Sequence, residues 1–237
     1  MKKLGLIGGM SFVSTLDYYK MINLGVNEKL GGLNYPECII YSFNFADVKR
    51  NNDANDWDGN FNMVTDAGNK LKNSGADALV LCANTMHLIA EKVEKAVGLP
   101  VIHIATATAI AIKNRNLSKV GLLGTKFTME LDFFRARLQE NGIEAIIPQS
   151  ADDRDFIHWT IFEELGRGLL KEDTKQRYLS IIHELISQGA QGIILGCTEI
   201  PLLIQPADVA VPVFDTTRIH AAAAVDFTLA SSPQNQQ

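Results

Sequence analysis

Of the side chains in this chain, Cys197 is the one best placed to do chemistry. It follows a run of buried-strand residues, Ile193 to Leu195, that stops at Gly196, and Thr198, a residue suited to opening a helix, comes next. In open α/β sheets ligands collect beyond the carboxyl ends of the strands, often where a helix begins. A thiol there meets unpaired N–H groups and the positive end of a helix dipole, and both favour thiolate. The competing reading makes Cys197 a small buried hydrophobe, as most intracellular cysteines are. Position alone leaves both open. The three cysteines, Cys38, Cys82 and Cys197, are too few and too scattered for a disulfide framework or a zinc site. His103, His158, His183 and His220 lack any Asp, Glu or Cys spacing that spells a metal site, and Gly5 to Gly9 is not a Walker loop.

The elements that must position such a thiol follow from hydrophobic patterning. Leu4 to Ile7 reads as a strand running into the turn Gly8-Gly9-Met10-Ser11, and Ser14 to Leu30 as the helix after it. Cys38 to Phe43 is a second strand. The Asn/Asp-rich stretch Asn51 to Asn62 is expected to be a loop that then starts a helix reaching Ser74. Gly75 to Leu81 is a third strand and Pro100 to Ile104 a fourth. Lys175 to Gln188 is the clearest helix, because Tyr178, Ile181, Ile182, Leu185 and Ile186 share one face of a 3.6-residue period. Strands alternating with such helices imply βαβ units and parallel sheets. Ser231 to Gln237 has no apolar residue to bury and reads as a loose tail.

The chain then repeats itself. Leu4-Gly5-Leu6-Ile7-Gly8 returns as Val120-Gly121-Leu122-Leu123-Gly124, and Gly75 to Leu81 returns as Gly189 to Leu195. Pro100-Val101-Ile102-His103 returns as Pro212-Val213-Phe214-Asp215. The offsets are 116, 114 and 112 residues, in one order and at nearly one spacing. The reading is two homologous α/β halves with parallel sheets facing each other across a cleft. Residues 1–104 with 213–237 form the first half, and residues 105–212 the second.

Composition narrows the class. The 237 residues are 46% hydrophobic and 21% charged, an ordinary globular balance. A net charge of −5 gives no electrostatic reason to expect nucleic acid as a partner. No apolar run approaches the roughly 18 residues of a membrane span, and Gly8-Gly9 ends the first apolar run too soon for a signal peptide. The expected compartment is the cytoplasm.

The offset of 114 carries Cys197 back to Ala83, within Leu81-Cys82-Ala83-Asn84-Thr85-Met86-His87. Together, Gly8-Gly9-Met10-Ser11, Ala83-Asn84-Thr85, Gly124-Thr125, Gly196-Cys197-Thr198-Glu199 and Phe214-Asp215-Thr216 resemble the aspartate/glutamate racemase family, nearly end to end. A bacterial branch specific for L-aspartate and L-glutamate or of broad specificity shares Asn84-Thr85-Met86-His87. The resemblance implies an isomerase that works without pyridoxal phosphate or any other cofactor, on a small amino acid or dicarboxylate, as a homodimer. It implies a two-base mechanism, in which one cysteine takes the Cα proton and a second returns a proton to the other face. Donors must then meet the charge that develops on the substrate carboxylate. The matching residues are Met10 and Ser11, Asn84 and Thr85, and Thr125 and Thr198. Glu199 supports Cys197. Arg50 and Asn52 fall in the loop where family members hold the substrate side chain, and a guanidinium suits a carboxylate there. A solvated loop arginine is the other reading of Arg50; His87, three residues after Asn84, reads either as a residue supporting the site from behind or as a packed helix histidine.

One position departs from the family pattern. Where the second cysteine belongs there is Ala83, and Cys82 sits one residue early, on the opposite side of a strand by the period of two. Cys82 therefore reads as a buried structural residue. Three consequences stay open: a water or a hydroxyl of Ser11 or Thr85 relays the second proton; the fold runs one-cysteine decarboxylase or cis–trans isomerase chemistry; or the protein binds amino acids without turning them over.

Overall fold

Glycine-ended apolar runs and amphipathic segments fold, in a computed structural model, into two α/β units, each with its own parallel sheet. The structure describes residues 1–230, so the tail expected to be loose, Ser231 to Gln237, lies outside the described residues. The first unit is Met1–His103 together with the chain from His220 onward, and the second is Ile104–Ile219.

In the first unit β1 (Leu4–Gly8) leads to α1 (Phe12–Leu30), then β2 (Cys38–Ser42), α2 (Phe45–Asp53), α3 (Trp57–Asn73) and β3 (Ala78–Leu81). A 3-10 turn at Thr85–Ile89 and α4 (Ala90–Val97) follow. The strand order is β2-β1-β3, all parallel, with Ile7 beside Tyr41 on one side and Leu81 on the other. The strand period sorts the core into two faces. Leu4, Leu6, Ala78, Val80 and Cys82 pack with Tyr18, Ile22 and Val26 of α1 and with Ala221, Ala224 and Val225. Ile7, Leu79 and Leu81 pack with α3 and α4 through Val64, Ala67, Leu71, Val93 and Val97. Gly9 is required in the turn after β1: its φ is +77°, and a Cβ would lie 2.3 Å from the Phe43 carbonyl oxygen.

The second unit runs α5 (Ile104–Lys113), β4 (Lys119–Gly124), α6 (Lys126–Glu130), α7 (Asp132–Glu140), β5 (Glu144–Ile146), α8 (Ala151–Glu163) and α9 (Glu172–Ser187). After these come β6 (Ile193–Gly196), α10 (Ile200–Leu203), β7 (Val213–Asp215) and α11 (Thr216–Leu229), whose residues from His220 count with the first unit. The order β5-β4-β6-β7 repeats β2-β1-β3, with Val101, bridged to Leu79, standing where β7 stands in the second sheet. Leu123, Ile193 and Leu195 pack with Ile157 and Ile161 of α8 and Tyr178, Ile181, Ile182 and Leu185 of α9. Val120, Leu122, Ile194 and Phe214 pack with α5 and with Phe134 and Leu138 of α7.

Several local expectations need correction. Asn51 to Asn62 is not a loop: α2 runs through Asp53, N-capped by Asn44, and α3 starts at Trp57, N-capped by Asp56, whose Oδ1 accepts the Gly59 N–H at 2.8 Å. Asn and Asp acted there as caps, which composition reads as loop. Pro100 to Ile104 is not a full strand. Leu79 N–H donates to the Pro100 carbonyl and Ile102 N–H to that of Leu79, and Ile104 already begins α5. The unit boundary also moves. Val213–Asp215 pairs with β6 and Phe214 enters the second core, as does Ile104, so both belong to the second unit.

Candidate active site

The second unit's candidate residues collect at the ends of two neighbouring strands. Gly124 of β4 is in register with Gly196 of β6, so Thr125 and Cys197 each follow one of a paired couple of glycines. Both glycines are tight: a Cβ on Gly196 would lie 2.7 Å from the Leu123 carbonyl oxygen. Thr125 caps α6, its Oγ1 accepting the Thr128 N–H at 3.3 Å. Next to it the Lys126 N–H donates to His158 Nδ1 at 3.2 Å, a neighbour that no sequence spacing announced.

Cys197 is partly buried and packs on the face of Ile193 and Leu195, against the α8–α9 core. Its Sγ–H donates to Glu199 Oε2 at 2.9 Å, and Thr198 Oγ1–H donates to the same oxygen at 2.6 Å. The expected bias toward thiolate is reversed. Burial pushes the thiol well above its ordinary value, and the Glu199 carboxylate pushes it further. The backbone groups of Glu199 and Thr198 pull it down, as N–H groups at a helix start should, but they are outweighed. The helix is also weak, since α10 has only four residues and begins three residues beyond the thiol. Cys197 therefore rests as a thiol whose S–H already points at a carboxylate that accepts it.

The first unit has the same frame without the thiol. Ile7 is in register with Leu81, and Cys82 N–H donates to the Ile7 carbonyl at 2.9 Å. Cys82 has no solvent exposure and lies on the face of Ala78 and Val80, the α1 side. Burial pushes its thiol up strongly. Ala83 packs on the opposite face, with Leu79 and Leu81. In the repeat this is the face that Cys197 occupies in its own unit, so Ala83 is its counterpart and Cys82 is the counterpart of Gly196.

Asn84 is buried and Thr85 partly so, at the start of the 3-10 turn, where the Asn84 carbonyl accepts the His87 N–H at 3.0 Å. On the neighbouring strand end, Met10 buries its side chain in the core and leaves only its backbone to a ligand. Ser11 caps α1 with φ at +148°, a strained value for a residue with a side chain. Its Oγ accepts the Ser14 N–H at 3.5 Å. Arg50 and Asn52 are not in a loop but on α2. Arg50 is exposed and donates to Asp47 at 2.7 Å, and Asn52 Oδ1 accepts from Asn60 at 2.8 Å.

Residues 7–224 match the Asp/Glu/hydantoin racemase family. The chain belongs to that family. It is an isomerase of the amino-acid racemase kind. The chain is 26% identical to the broad specificity amino-acid racemase RacX of Bacillus subtilis, over 96% of this chain and 98% of that one. A crystal structure of a Yersinia pestis protein, provisionally described as an Asp/Glu racemase, superposes with a TM-score of 0.91 at 48% identity, covering 97% of this chain and all of that one. An aspartate racemase homologue from Pyrococcus horikoshii gives 0.83 at 39% identity, over 96% and 99% of the two chains. As in those racemase relatives, two α/β units make up the chain.

Proposed function

We propose that this chain racemises a small amino acid, aspartate or glutamate first, without pyridoxal phosphate, by removing and returning the Cα proton with Cys197 as principal acid and base. One observation carries the reading: in a chain of this family, a strand-end thiol donates its proton to a neighbouring carboxylate. For abstraction, the Sγ proton passes to Glu199, the thiolate takes the Cα proton, and the electron pair left on Cα spreads into the substrate carboxylate. Reprotonation runs the same transfers backward. Asn84, Thr85, Thr125 and Thr198, with the backbone at Met10 and Ser11, hold that carboxylate by the family resemblance, and Arg50 and Asn52 take the substrate side chain. Since Ala83 carries no proton, a water or the hydroxyl of Ser11 or Thr85 serves the other face.

The test is a panel of L- and D-aspartate, L- and D-glutamate and homoserine in D₂O, followed by NMR. Cα deuteration of at least one supports the reading, and no exchange with any of them removes it. Because Ala83 leaves one thiol, a second reading is a one-cysteine lyase or cis–trans isomerase. Consumption of a malonate or an unsaturated dicarboxylate, with no amino-acid exchange, would favour that one.

The protein is proposed to work in the cytoplasm as a homodimer. No helix among the described residues is long and apolar enough to cross a membrane. The exposed side chains Phe12, Leu16 and Tyr19 form an apolar strip on α1 that a second copy could cover. A single monomer-mass species in sedimentation at micromolar concentration would refute the dimer.

A further inference from the structure

Three histidines of the first unit lie together where the chain leaves that unit and where it returns. His103 is its last residue before α5, and His220 is the first residue counted with it on the way back. The His87 ring meets both edge-on, at 4.9 Å from His103 and 5.2 Å from His220. His87 and His220 are almost fully buried.

Their hydrogen bonds fix how the protons lie. His220 Nε2 is 2.6 Å from the Ile102 carbonyl, which only accepts, so Nε2 carries the proton and Tyr18 O–H donates to Nδ1 at 2.8 Å. His87 Nδ1 is 2.9 Å from the Ala83 carbonyl, so Nδ1 carries its proton and donates. Burial and the neighbouring histidine hold both rings neutral, with values lowered to about 3. A chain of fixed contacts thus runs from Tyr18 through His220 and His87 to the carbonyl of Ala83. Asn84 and Thr85 lie between the two residues that its last hydrogen bond joins. The second unit has nothing comparable, since the offset of 114 carries His87 onto Pro201.

We propose that His87 is a positioning residue of the reaction: its Nδ1–H pins the Ala83–Thr85 turn, so that Asn84 and Thr85 meet the substrate carboxylate, while His220 and His103 hold its ring. This rests on the racemase reading above. Displacing such donors by about 1 Å costs on the order of 100-fold in rate.

The experiment compares wild type, His87→Leu and His87→Asn. Asparagine can offer Nδ2–H where histidine offers Nδ1–H, and leucine offers nothing. In His87→Leu, kcat/KM for Cα exchange should fall about 100-fold, mostly through kcat, and His87→Asn should recover most of it. Equal losses in both variants, or none in either, would overturn the proposal. Two NMR readouts stand apart from activity. Long-range proton–nitrogen correlation on the intact wild-type chain should find His87 protonated on Nδ1. The Asn84 and Thr85 amide signals should shift in His87→Leu and return in His87→Asn. If wild type exchanges no amino acid, the racemase reading fails, and these signals still decide: an unprotonated Nδ1, or amides indifferent to the leucine, removes the positioning role itself.

Discussion

The ends of β3 and β6 are one piece of architecture used twice with different chemistry. Both strands are fully buried. β6 lies inside its sheet and ends with Gly196 in register with Gly124, whereas β3 is the last strand of its sheet, with only the Val101 bridge beyond it, and ends with Leu81 in register with Ile7, one residue before Gly8. Past that point the side chains diverge. The second unit sets Gly196 against the neighbouring backbone and turns Cys197 onto the α8–α9 face, with Glu199 two residues on. The first unit puts its thiol one residue earlier, on the α1 face, where Cys82 is fully packed, and leaves Ala83 in the place that Cys197 takes in the second unit. A shift of one residue along a strand moves a side chain to the other side of the sheet, so the two cysteines, each at the end of a matching strand, are unlike in surroundings. The duplicated scaffold keeps strand pairing and strand-end glycines; on the proposed reading the proton chemistry belongs to one copy.

The largest test of that asymmetry removes the thiol proposed to react. Cys197→Ser should cut Cα exchange from both enantiomers by about 10²–10⁴-fold, whereas Cys82→Ala should leave the exchange rates of the folded protein unchanged. A folded Cys82→Ala variant without activity would show that the α1-side thiol reaches the substrate after all. A smaller, opposite change should follow from giving the first unit what it lacks. With Ala83 in place, exchange should be fast from one enantiomer and slow from the other, because a thiolate reaches only one face of Cα. Ala83→Cys should raise the slow direction by up to about 10²-fold. Equal rates for the two enantiomers in the wild type would break the one-thiol account.

Much of this asymmetry was legible in the residues. Constant spacing between the repeats carried Cys197 to Ala83 and Cys82 to Gly196, and the strand period sent Cys82 away from the reactive face. The alternation of strands and helices carried the parallel sheets. Other features were hidden because they depend on contacts distant in sequence or on local capping. Asn44 and Asp56 look like loop composition yet begin α2 and α3. β5 is three residues long and carries no periodicity to detect. The protonation bias of Cys197 was misread because a helix start was weighed without the burial and the Glu199 carboxylate that outweigh it. The contact between His158 and the start of α6, and that of His87 with His103 and His220, join segments no spacing rule connects.

Glu199 offers a finer cut at the same comparison. A carboxylate two residues from the thiol raises it by disfavouring a second negative charge. Glu199→Gln keeps an acceptor for the Sγ–H and removes that charge, so the thiol should ionise at lower pH. Alkylation of Cys197 at pH 8 should become about tenfold faster, while Cα exchange slows for want of a proton acceptor. Alkylation no faster than in wild type would mean that burial alone sets the thiol.

The last contrast concerns acid, because buried neutral histidines belong to the first unit alone. His87 and His220 are held near 3 when folded, against about 6.5 in the unfolded chain. The groups packed around them, Tyr18, His103 and each other, include no carboxylate among the contacts that hold the rings. Between those two values the unfolded chain binds protons that the folded chain refuses. Stability is therefore complete above about pH 6.5 and is lost as the pH falls toward 3, at about 1.4 kcal/mol per pH unit for each histidine. The window from pH 6 to pH 5 isolates the effect, since ordinary carboxylates, near 4, are still ionised there. Trp57 packs against the first unit's core and Trp159 lies on α8, so Trp159→Phe leaves a fluorophore that reports the first unit. Urea unfolding followed through Trp57 should weaken across that window. His220→Gln keeps a donor for the Ile102 carbonyl but deprives Tyr18 of its acceptor. It should be less stable at pH 7 yet show a slope shallower by about 1.4 kcal/mol per pH unit. An unchanged slope would mean that His220 is not held neutral by its burial, and the first unit's sensitivity to acid would then need another source.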